Sequence, residues 1–85
     1  MKEKMENNFG HNLSKLRKAK GLTQQELADV MKTKRCNIGA YEEGRAEPHL
    51  ELYLRLCDFL NIDAHCLFHE NITEQSAKKI IEDIF

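Results

Sequence analysis

Two clusters in this 85-residue chain carry side chains able to do more than pack. His65, Cys66 and His69 fall at i, i+1 and i+4, so a helix would bring two imidazoles and a thiol together, donor types that bind zinc. Three ligands without a fourth nearby fall short of a structural zinc site, and the pattern predicts no metal and no cofactor. Cys36 follows Lys34 and Arg35 near a helix start, where positive charge and the helix dipole favour a thiolate and redox chemistry. A small side chain tolerated at a surface accounts for that cysteine more simply. A Cys/His nucleophile pair would need an orienting third group and a pocket, neither of which the spacing suggests, so no catalytic residue is assigned.

The net charge is -1, but its distribution is uneven. Residues 9–45 hold eight basic side chains (Lys15, Arg17, Lys18, Lys20, Lys32, Lys34, Arg35, Arg45) against four acidic ones (Glu26, Asp29, Glu42, Glu43), a local charge of +4. Residues 46–85 hold three basic and eight acidic side chains, a local charge of -5. A basic first half is the footprint that a polyanion needs, although charge runs are also ordinary solvated helix faces. The length supports one modest core, which argues against a catalytic cleft between two lobes. Cys36, Cys57 and Cys66 lack CxxC spacing, the N-terminus has no apolar leader, and no stretch approaches the roughly 20 apolar residues of a membrane span. These features predict a cytoplasmic domain without a disulfide framework that acts by binding a partner.

The elements that would position these side chains are helical, because apolar residues recur at i, i+3 and i+4 and no run alternates over strand length. Phe9, Leu13 and Leu16 mark a first helix ending at Gly21. Thr23-Gln24-Gln25-Glu26 reads as a capping box, with Leu22 and Leu27 as its hydrophobic staple, and the helix it opens runs to Met31. A third helix spans Arg35 to Glu43 and closes at Gly44; Ile38 and Tyr41 point inward, while Arg35, Cys36, Asn37 and Ala40 fall on the other side or at the helix start. Beyond Pro48, Leu50 to Leu60 forms a helix that Asn61 can close, and Asp63 can cap a short turn through Leu67 and Phe68. Thr73 opens a last helix whose Ala77, Ile80, Ile81, Ile84 and Phe85 make one stripe. That stripe either completes the chain's own core or meets its copy on a second subunit, and the dimer is slightly favoured.

Taken together, Phe9-Gly10, Leu13, Leu16-Arg17, the run from Gly21 to Ala28, Ile38, Tyr41-Glu42, Gly44, Pro48, Leu50, Leu56, Leu60 and Leu67 resemble the Cro/C1-type (XRE-like) helix-turn-helix DNA-binding family. The resemblance covers residues 9–68 without a gap. It implies an all-α, five-helix, lambda-repressor-like bundle, followed here by an additional C-terminal helix. The corresponding division is a flexible N-terminus (1–8), the helix-turn-helix domain (9–68) and a C-terminal amphipathic helix (69–85) available for dimerisation through Ile80, Ile81, Ile84 and Phe85.

In such a domain the segment from Arg35 to Glu43 is the recognition helix, lying in the DNA major groove, and the helix from Gln24 crosses the backbone. The resemblance implies that Gln24 contacts phosphate and supports the recognition helix, and that Arg35, Cys36 and Ala40 face bases. Arg35 is the strong reader, since its guanidinium can donate two hydrogen bonds to guanine O6 and N7. Asn37 is placed to reach a phosphate or a base edge, while Lys32, Lys34 and Arg45 would neutralise phosphates beside the groove. Arg17 and Glu42 match a structural salt bridge tying the first helix to the recognition helix.

The implied function is a transcriptional regulator that binds double-stranded DNA sequence-specifically, as a homodimer on a palindromic operator, without being an enzyme. The alternatives are an antitoxin or adaptor with a protein partner, and a controller protein of a restriction–modification system. The chain departs from the family in the turn, where Lys32 stands in place of a glycine and Lys34 in place of a Ser or Thr cap. An ammonium group has donors only and cannot make the capping bond. Gly39 lies inside the recognition helix, where glycine costs about 1 kcal/mol relative to alanine.

Overall fold

The computed structural model describes residues 8–82, and in it the chain folds into helices alone. They are α1 (Phe9–Ala19), α2 (Gln24–Met31), α3 (Arg35–Glu43), α4 (Leu50–Leu60), α5 (Ala64–His69) and α6 (Glu74–Glu82). This is the all-α architecture that the apolar spacing predicts, arranged as the five-helix bundle with an added C-terminal helix that the resemblance implies.

Local chemistry sets most of the boundaries. The capping box at α2 is complete: the Thr23 hydroxyl accepts from the Glu26 amide at 3.0 Å, and the Glu26 carboxylate accepts from the Thr23 amide at 2.8 Å. Asp63 caps α5 by accepting from the Cys66 amide at 2.9 Å. Gly44 ends α3 in the left-handed region, at φ 79°, where the absence of a Cβ removes the steric penalty. Lys32 and Asn61 end α2 and α4 in the same conformation, at φ 59° and 58°. For Lys32 this is costly backbone geometry, adopted because the next helix must start only three residues later.

The core is one cluster in which Leu13, Leu16, Leu27, Ile38, Leu56, Leu60 and Leu67 are fully buried. Helix α1 is its axis, packing against α3, α5 and α6, while α2 packs against α3 and α4. The α1 and α3 backbones approach so closely that a Cβ on Gly10 would stand 2.6 Å from the Tyr41 carbonyl oxygen and 2.7 Å from that of Glu42. Only glycine fits there, so Gly10 sets where the end of α3 lies against the start of α1.

Polar side chains at the start of α1 then hold the segment between α5 and α6. Asn12, fully buried, donates to the carbonyls of Leu67 and Glu70 at 2.8 and 2.7 Å and accepts from the Ile72 amide at 3.1 Å. Asn8 donates to the carbonyls of His69 and Glu70, and the His11 ring pairs with that of Ile72. The backbone of the α5–α6 connection is thereby satisfied by side chains of a helix some sixty residues earlier. Helix α6 docks on α1 with Ala77 buried and Ile80 and Ile81 partly buried against the core. Over these two residues the expected dimer stripe is thus partly covered by the chain's own core. Ile84 and Phe85 lie outside the described residues.

Candidate nucleic-acid interface

Helices α2 and α3 are joined by Lys32, Thr33 and Lys34, and the turn is fixed from within. The Lys32 left-handed conformation reverses the chain, the Thr33 amide bonds back to the Ala28 carbonyl at 2.9 Å, and the Thr33 hydroxyl accepts from the Asn37 side chain at 2.9 Å. Lys34 occupies the N-cap position of α3 with no side-chain capping bond. Thr33 is engaged with Asn37 instead of with an amide, and the Asn37 amide turns back to the Lys34 carbonyl at 2.9 Å, so no side chain caps the first turn of α3, whose N-terminal polarity suits phosphate.

Around that first turn, Lys32, Lys34, Arg35 and Cys36 are all exposed. Among the described residues neither the two lysines nor Arg35 has an ion pair. Arg45, also exposed, donates through Nε to Glu43 at 2.7 Å, a surface pair that water and salt readily replace. Asn37 is half-buried and held by Thr33. Ala40 is buried, at 9% exposure, but stands outside the core cluster that Ile38 and Tyr41 join.

Below this surface lies a polar clamp. Arg17 donates through Nε and Nη2 to the two Glu42 carboxylate oxygens at 2.6 and 3.2 Å, and through Nη1 to the Leu22 carbonyl at 2.7 Å. Both side chains are at most 10% exposed. Gln24, the first residue of α2, donates to the same Glu42 carboxylate at 3.0 Å. Glu42 thus ties α1 and α2 to α3 at once, and Gln24 is held by α3 through its amide nitrogen. The Gln24 side chain lies over Gly39, where a Cβ would make ordinary van der Waals contact at 3.6 Å; Gly39 is not required by packing within the chain.

The remaining cysteines are poor nucleophiles. Burial pushes the Cys57 thiol above its ordinary range, with the charges of Asp58 and Asp63 adding to the effect. Burial also raises Cys66, as does its hydrogen bond to Asp63, whose carboxylate oxygen accepts from Sγ at 3.5 Å. Asp63 itself is held below the ordinary carboxylate range, chiefly by the Cys66 amide. Tyr53 donates to the Ala64 carbonyl at 2.9 Å, and burial drives its phenol up to about 12.

Three contributors escape a reading of the sequence. Asn12 had one signal, a polar residue three positions after Phe9 on an apolar face. His49 caps α4 by accepting the Leu52 amide on Nδ1 at 3.4 Å, a role rarely given to imidazole. Arg55 reaches the Met31 carbonyl at the end of α2 at 3.1 Å, a contact that only the tertiary fold creates. Among the described residues no helix is long and apolar enough to cross a membrane.

Comparison with known proteins is consistent with this geometry. Residues 13–65 match the helix-turn-helix family model. In Bacillus subtilis (strain 168), the SPbeta prophage-derived uncharacterized HTH-type transcriptional regulator YonR is 33% identical over 75 residues, spanning 88% of this chain and 69% of its own length. The uncharacterized HTH-type transcriptional regulator YqaE of the same organism is 34% identical over 79 residues, spanning 88% of this chain and 68% of its own length. No solved structure shows a significant match.

Proposed function

The chain belongs to the Cro/C1-type helix-turn-helix family of DNA-binding transcriptional regulators, and on that premise we propose that it acts in the cytoplasm as a homodimer on a palindromic operator. It is a regulator and not an enzyme. The observation that carries the reading is the exposed, unpaired Arg35 at the uncapped start of α3, flanked by Lys32 and Lys34. In a major groove, Arg35 reads guanine through its two-pronged guanidinium, and the lysines, Arg45 and Gln24 contact phosphate and supply affinity without sequence preference. Cys36, Asn37 and Ala40 adjoin the groove. With so few base readers, the shape of the DNA carries part of the specificity.

The second copy meets this one on α4. Leu50 is 71% exposed and Leu54 48%, one turn apart on the same face, and Leu50 borders a mostly apolar hollow whose other walls are Phe9, Glu47, Pro48, Tyr53 and Phe68. A projecting leucine next to an apolar hollow is self-complementary under a two-fold axis. Such a dimer reads two half-sites about one helical turn apart, roughly 34–36 Å. Selection of bound duplexes from a random pool tests the proposal: a palindrome with that spacing is expected, and recovery of no motif, with only weak and steeply salt-dependent binding, would contradict it.

A further inference from the structure

The fold separates the three candidate metal donors of α5. Cys66 turns toward Asp63, leaving His65 and His69 on successive turns with ring centroids 4.6 Å apart and planes inclined by 47°. Of the four histidines, His11 is committed to the Ile72 carbonyl and His49 to capping α4. Among the described residues, the rings of His65 and His69 make no hydrogen bond, and both residues are exposed. Their ring nitrogens are therefore open to a ligand from solvent.

We propose that His65 and His69 form a bidentate site for a borderline divalent cation of the zinc, nickel or copper class. Two histidines four apart on one helix face are a recognised chelating arrangement, because the helix repeat brings both rings to one side. The spacing agrees with the geometry of chelation. With metal–nitrogen bonds of about 2.1 Å and each nitrogen about 1.2 Å from its ring centre, two rings on one ion stand about 4.7 Å apart at a right angle and about 5.4 Å apart at the tetrahedral angle. The pair thus sits at the separation for two adjacent positions of an octahedral or square-planar ion, and a small opening accommodates zinc.

Two further features favour a cation there. The edge of Phe68 packs against the His69 ring at a centroid distance of 5.0 Å, which limits the orientations that ring must lose on binding. Of the two ligands, His69 lies in the last turn of α5 and His65 in the first, so the helix dipole favours a cation only at the His69 end. Among the described residues no third His, Cys, Asp or Glu completes a ligand set, so water or an outside group fills the remaining positions. Imidazole donors without a hard oxygen set select against magnesium and calcium.

Calorimetric titration of the full chain with nickel, zinc, copper and magnesium chlorides tests the site, with histidine ring resonances followed by NMR. One nickel, zinc or copper ion per chain, no magnesium, and shifts confined to His65 and His69 are expected. His65→Gln and His69→Gln should each weaken binding at least tenfold, while Cys66→Ser and His49→Ser leave it unchanged. Both substituted histidines are exposed, so circular dichroism should show an intact fold. Equal affinity in the His69→Gln protein, loss of binding in the Cys66→Ser protein, or no binding to the wild type at millimolar metal would each overturn the assignment.

Discussion

Glu42 gathers three hydrogen bonds on one carboxylate, two from Arg17 and one from Gln24, in surroundings with little water. Removing it leaves a buried guanidinium with only the Leu22 carbonyl, and Gln24 loses the partner that aims it. Glu42→Ala is expected to destabilise the fold by about 3–5 kcal/mol, measured by urea unfolding. Tyr53 makes a different kind of statement, about pH. Its phenol ionises at about 12 in the folded chain against about 10 when unfolded, so the fold favours the protonated form. The resulting stability is fully present below pH 10 and is lost as pH rises through 12. Ultraviolet titration should show a tyrosine ionising near 12 in the native protein, and Tyr53→Phe should remove that step and flatten the alkaline fall in stability.

At the scale of elements, two glycines inside helices have opposite meanings. A Cβ on Gly10 would collide with the backbone of α3, whereas one on Gly39 meets only the Gln24 side chain at a comfortable distance. Gly10→Ala is therefore expected to cost about 1–3 kcal/mol through overpacking, and Gly39→Ala to raise stability by up to about 1 kcal/mol through helix propensity; thermal melts of the two variants compare them directly. The contrast also marks what the sequence makes legible. The helix limits could be read because Thr23, Glu26, Gly44 and Asp63 act on backbone groups within a few residues. The clamp of α1 on the α5–α6 connection could not, since Asn12 and its partners are brought together only by the finished fold. The docking of α6 was half legible: its apolar stripe shows that it must be covered, but not that α1 covers it. In the interface, exposure of Arg35 follows from its place as the first residue of α3, while burial of Ala40 depends on neighbours that no helical periodicity reveals.

For the whole molecule, the proposed two-fold contact rests on the apolar side chains of α4 that the fold leaves uncovered. Ile72, Ala77, Ile80 and Ile81 all belong to the core or pack against it, so removal of α6 should loosen α1 before it changes assembly. Leu50 and Leu54 instead face solvent. Leu54→Lys is expected to keep the fold, sediment as a monomer where the wild type is a dimer, and lose tight binding to the palindrome while still binding a half-site weakly. Charge is divided along the chain, +4 over residues 9–45 and -5 over residues 46–85.

The central claim, that Arg35 reads a base from the start of α3, is tested most directly on the selected duplex with each half-site position changed in turn. Wild-type and Arg35→Ala proteins are compared at fixed salt. The wild type is expected to lose about 1–3 kcal/mol at one G·C position per half-site, and the Arg35→Ala protein to be indifferent to the base there while retaining its preferences elsewhere. A variant that binds every duplex more weakly by the same factor, with the preference at all positions intact, would make Arg35 a phosphate contact and contradict the account.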